Sequence, residues 1–88
     1  MSSVAYTIIV IRPAQKEIRM LDQTVRSRIL QALHSLADNP RPSGCRKLVG
    51  AQNRWRLRIG DYRVIYEIDD TDRGVNIIAV RHRGKAYE

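Results

Sequence analysis

Between Arg54 and Ile68 the side chains alternate with a period of two, and the alternation breaks once, at Gly60-Asp61. Trp55, Leu57 and Ile59 share one side of a strand and Arg54, Arg56 and Arg58 the other. Beyond the break, Tyr62, Val64, Tyr66 and Ile68 lie opposite Arg63, Ile65 and Glu67. Period two is the side-chain repeat of extended backbone, and a Gly-Asp pair between two such runs marks a hairpin turn. A hairpin with one apolar side is stable only when another layer covers that side, so the rest of the chain must supply one.

The first half supplies it. Val25, Ile29, Leu30, Leu33, Leu36 and Ala37 fall along one face of a helix that Asp22 can cap, with Arg26, Gln31, His34, Ser35 and Asp38 largely on the other. Ala14, Ile18 and Leu21, spaced by four and three, mark a shorter helix from Pro13 to about Leu21. Ahead of it, Tyr6 to Ile11 is β-branched and apolar on both faces, the pattern of a strand covered on both sides or near a sheet centre; Arg12-Pro13 ends it. Asn39 to Gly44 stops the second helix, and a loop carrying Arg46 and Lys47 follows to about Asn53. After the hairpin, Asp69 to Gly74 turns the chain into a third strand, Val75 to Val80, followed by the polar, basic tail Arg81 to Glu88.

The expected fold is α+β in the order β-α-α-β-β-β: a helical hairpin on one face of a small, mostly antiparallel sheet, as one domain spanning residues 1–88. Arginines point to the opposite, partly open face.

Charge narrows the class of partner. Sixteen Lys and Arg stand against nine Asp and Glu, a net charge of +7, which favours a polyanion. Nucleic acid, an acidic protein or a membrane surface would all satisfy it. Cys45 is the sole cysteine, which rules out an internal disulfide and a Cys/His metal cage. No run reaches the roughly 20 apolar residues of a membrane span. Val4 to Ile11 lacks the flanks of a secretory signal, so the chain reads as cytoplasmic.

The candidate site is cationic. Arg54, Arg56 and Arg58 recur on one strand face roughly 7 Å apart, about the spacing of successive phosphates in an extended single strand. Arg63 interrupts an otherwise apolar strand and must find an anion or water; Glu67, four residues along on the same face, could pair with it, and the alternative is a phosphate, for which its guanidinium fork is suited. The tail adds Arg81, Arg83, Lys85 and Tyr87, with His82 between two arginines where its charged form is disfavoured. Asp69, Asp70 and Asp72 cluster in a turn and are explained by it. No acidic metal ligands lie on the arginine-bearing strands, so neither a metal nor another cofactor is expected.

Trp55-Arg56-Leu57-Arg58-Ile59-Gly60-Asp61-Tyr62-Arg63-Val64-Ile65-Tyr66-Glu67-Ile68, preceded by Lys47-Leu48-Val49-Gly50 and followed by Val80-Arg81-His82-Arg83-Gly84-Lys85-Ala86-Tyr87, resembles the RelE/ParE superfamily of toxin-antitoxin toxins, and RelE more than its relatives. The resemblance covers nearly the whole chain. It implies a ribosome-dependent endoribonuclease that cuts mRNA in the A site without a metal, the ribose 2′-hydroxyl attacking the adjacent phosphate. It also implies a RelB-like antitoxin partner, and operator DNA reached through the antitoxin complex. The basic strand residues of RelE fall on Arg54 and Arg56, its central arginine on Arg63, its later arginine on Arg81 or Arg83, and its C-terminal tyrosine on Tyr87. Lys47, Arg58, His82 and Lys85 join Arg54 and Arg56 as expected RNA contacts. Family members often carry lysines where this chain has Arg54 and Arg56, and arginine cannot act as a base. That leaves Tyr87 as the preferred base, with His82 second. A ParE-like inhibitor of DNA gyrase, or a non-enzymatic co-repressor acting only with an antitoxin, would share the hairpin.

Overall fold

In the computed structural model, which describes residues 5–50, 53–82 and 84, the hairpin is formed by β-strands Arg54–Ile59 and Tyr62–Asp69, paired antiparallel with Trp55 opposite Tyr66, Leu57 opposite Val64 and Ile59 opposite Tyr62. Gly60 takes φ 58° at the first turn position, a conformation glycine adopts without a Cβ penalty. The full element order is β1 (Thr7–Val10), α1 (Arg12–Arg19), α2 (Gln23–Asp38), β2 (Arg46–Lys47), β3 (Arg54–Ile59), β4 (Tyr62–Asp69) and β5 (Gly74–His82). The sheet runs β1-β5-β4-β3-β2, with β1 parallel to β5 and the other pairs antiparallel. Both helices pack on one face, as the sequence predicts.

The apolar stripes account for the core. Ala14 and Ile18 of α1, Ile29, Leu33 and Leu36 of α2, and Val64, Tyr66, Ile68, Val75, Ile77 and Val80 of the sheet form one buried cluster. Proline opens α1 in its first turn, and the Asp22 carboxylate accepts from the Val25 N–H at 3.0 Å at the start of α2. Tyr66 is fully buried and its hydroxyl donates to the Pro40 carbonyl at 2.8 Å; burial pushes this phenol well above its usual range.

Four local expectations need correction. β1 is an edge strand, not a central one, and the helices cover only one side of it, leaving Ile9 half exposed. Leu30 is also half exposed, because it falls just outside the arc of α2 that meets the sheet. The segment after α2 is not all loop: Arg46 pairs with Arg56 and Lys47 with Trp55, adding a fifth strand. And the last strand continues through Arg81 and His82 instead of ending at Val80.

A polar network ties the ends of these elements together. The Arg41 guanidinium meets Asp70 in a fork, Nη1–Oδ1 3.2 Å and Nη2–Oδ2 2.9 Å, and lies 5.0 Å from the Trp55 ring centroid; the Tyr6 hydroxyl donates to Asp70 Oδ1 at 2.8 Å. Asp70 therefore belongs to this clamp. Its hydrogen bonds with Arg41 and then Tyr6 hold its carboxyl below the usual carboxylate range. A folded-state pKa below the unfolded value stabilises the fold above about pH 4, and that contribution is lost as pH falls through the folded pKa. Asp70→Asn should lower the melting temperature at pH 7 and have a shrinking effect as the pH is taken to 3; calorimetry across that range checks it.

Candidate functional site

The sheet face turned away from the helices carries the cations, and strand register decides which of them meet. Arg46 lies opposite Arg56, Arg58 opposite Arg63, and Arg63 opposite Arg81. These pairs bring Arg46, Arg56, Arg58 and Arg63 around one open cleft of about 550 Å³, completed by Ser43, Gly44, Leu57 and Gly60. Among the described residues, no carboxylate lines it. Arg63 forms part of its wall with only 5% of its surface exposed, and it is the one charged side chain buried among the described residues. A cationic concavity with low-dielectric walls concentrates its field outward, which suits a polyanion backbone.

A β-bulge sets the geometry at β5. Ile65 pairs with Ala79 but Tyr66 pairs with Ile77, so Ile78 is an extra residue in the strand. Strict alternation from Val75 and Ile77 would turn Arg81 into the core. The bulge reverses the parity, so that Val80 is buried and Arg81 sits across from Arg63.

The same parity sends His82 to the other side. It pairs with Tyr62, whose ring it meets edge to face at 5.3 Å, and lines a separate groove of about 460 Å³ with Glu17, Met20, Leu21, Tyr62, Val80 and Arg81. His82 is thus removed from the arginine cleft with which the sequence grouped it. Lys47 is removed for the same reason, since its partner Trp55 belongs to the helix-facing side of β3. Arg54 shares the open face but is engaged: its Nε donates to Glu67 Oε2, its cross-strand partner, at 2.9 Å. Glu67, one of the two anions considered for Arg63, accepts from Arg54. Arg81 donates from Nε to Glu17 Oε2 at 3.1 Å. Arg83, Lys85 and Tyr87 lie outside the described residues.

Sequence reasoning missed Arg46, which joins the cleft because Arg46-Lys47 is extended and paired. Two residues are too few for a periodicity to show. It also missed Glu17, whose helical position gives no hint that it reaches the end of β5. Among the described residues, no three His, Cys, Asp or Glu side chains converge as metal ligands, and no helix is long and apolar enough to cross a membrane.

Residues 8–87 match the family model described as the ParE toxin of the type II toxin-antitoxin system parDE. No curated protein sequence matches at the threshold used for significance. Among solved structures, the chain is similar to the archaeal RelE of the RelE-RelB complex from Pyrococcus horikoshii, with 29% identity, TM-score 0.82 and coverage of 93% of this chain and 99% of that one. It is similar to the isolated E. coli RelE toxin at 27% identity, TM-score 0.80 and coverage of 94% and 89%. It also matches the intact E. coli RelBE toxin-antitoxin complex at 29% identity, TM-score 0.79 and coverage of 89% and 96%. With the family model spanning almost the whole chain and the same helix-on-sheet architecture in these toxins, the chain belongs to the RelE/ParE superfamily of type II toxin-antitoxin toxins.

Proposed function

We propose that this toxin is a ribosome-dependent endoribonuclease that cleaves mRNA in the A site, stops translation in the cytoplasm, and is neutralised by a RelB-like antitoxin with which it also reaches operator DNA. The observation that carries the reading is the cleft formed by Arg46, Arg56, Arg58 and Arg63, with Arg63 nearly closed to water. Its likeness to RelE toxins solved with and without RelB supports the same choice.

The chemistry needs no metal. The ribose 2′-oxygen attacks the adjacent phosphorus while a base takes its proton. The bond from phosphorus to the 5′-oxygen breaks, and that oxygen receives a proton, leaving a 2′,3′-cyclic phosphate and a 5′-hydroxyl. Arg56, Arg58 and Arg63 supply charge to the phosphorane, with Arg46 on the flanking backbone. Guanidinium stays protonated, so none of them is the base. Tyr87 fills that role, and Arg81 or Arg83 stabilises the leaving oxygen. Arg54 and Lys85 remain as outer contacts to the RNA backbone. The cleft is open and shallow, so the ribosome supplies the alignment of the substrate.

The match to the ParE family model favours a second reading, inhibition of DNA gyrase. Induction in a bacterial host, with mRNA ends mapped and plasmid supercoiling scored, separates them. Cleavage at fixed positions within codons is expected; intact mRNA together with altered supercoiling would overturn the nuclease reading in favour of gyrase.

A further inference from the structure

β1 is shorter than the strand it lies against. Val10 pairs with Ile77 and the Ile11 N–H still reaches the Ile77 carbonyl at 3.2 Å, after which the chain turns into α1. β5 continues to His82, so beyond Ile77 its outer edge has no neighbouring strand among the described residues. A bare strand edge is a row of unmet donors and acceptors.

One carboxylate from α1 closes this gap. Glu17 Oε1 accepts from the Val80 N–H at 2.8 Å, and Oε2 accepts from Arg81 Nε at 3.1 Å. The Val80 side chain is buried in the core and Arg81 belongs to the opposite face, so a single group fixes the backbone of one residue and the side chain of the next. Charge gives the contact a second purpose. Arg81 stands directly across from Arg63, and like charges at such cross-strand positions repel. Glu17 offsets one of them from the helix side, without placing a carboxylate in the cleft.

We propose that Glu17 is a positioning residue for RNA cleavage: it pins the end of β5 and ties the Arg81 guanidinium to it, at the strand position across from Arg63. This rests on the nuclease reading above. Glu17 acts through β5 and Arg81, and touches no substrate.

The test uses two variants of the full chain and two independent readouts. Glu17→Gln keeps an oxygen for the Val80 N–H but presents an NH₂ group that cannot accept from Arg81; Glu17→Ala removes both acceptors. Amide hydrogen exchange should rise about tenfold or more at Val80 in Glu17→Ala while Ile77 is unchanged. In a reconstituted translation assay, both variants should lower kcat about tenfold at constant KM for ribosomes. Adding Glu17→Gln to Arg81→Ala should cost nothing further, the mark of a residue acting through another. Unchanged exchange at Val80 overturns the holding role, and unchanged kcat despite faster exchange overturns the catalytic one. A wild-type protein that leaves ribosome-bound mRNA intact overturns the nuclease reading itself; the exchange data then still decide whether Glu17 holds the strand.

Discussion

Arg63→Ala should reduce mRNA cleavage by about 10²–10³-fold, the usual cost of deleting one preorganised donor to a developing anion. The expectation follows from burial. A guanidinium with 5% exposure sits in a medium where its charge is poorly screened, so its loss is felt more than that of a solvated neighbour such as Arg58. Arg63→Lys should recover only part of the activity, since it keeps the charge and loses the planar fork. Quench-flow cleavage of ribosome-bound mRNA measures both, with antitoxin co-purification as the check that each variant is folded. Near wild-type cleavage by folded Arg63→Ala would remove the central cation from the mechanism.

Tyr87→Phe should be comparably severe, about 10²–10⁴-fold in kcat, because it deletes the proposed base while keeping the ring. His82 provides the control. Its imidazole meets the Tyr62 ring edge to face on the helix side of the sheet, so His82→Ala should leave cleavage within about twofold. The reverse result, an active Tyr87→Phe and an inactive His82→Ala, would assign the base to the histidine.

The hairpin and the helices were legible because each repeats its signal over several residues: five alternations from Arg54 to Ile59 leave no doubt about the period, and Ile29, Leu33 and Leu36 mark the buried arc of α2. The composition of Tyr6 to Ile11 misled, since apolar residues on both faces suggest two-sided cover that an edge strand does not receive. The site was legible in kind but not in membership. Arg56, Arg58 and Arg63 follow from alternation alone. Whether Arg46 or Lys47 faces the cleft depends on a two-residue strand, and whether Arg81 or His82 does depends on an extra residue at Ile78. Neither leaves a periodic trace. Salt-bridge choice was equally hidden: Glu67 has an arginine four residues away on its own strand and another across the sheet, and only register shows that it takes Arg54.

The sheet order β1-β5-β4-β3-β2 has a consequence for biogenesis. β5 lies between the amino-terminal β1 and the hairpin, and it is synthesised after every other described element. Until it emerges, β1 has no strand to pair with and α1 no sheet beneath it, whereas α2 and the β3–β4 hairpin can form from local contacts. Such late, distant closure makes folding slow relative to local structure. The cleft strands β3 and β4 can therefore pair before the strand that bears Arg81 joins them.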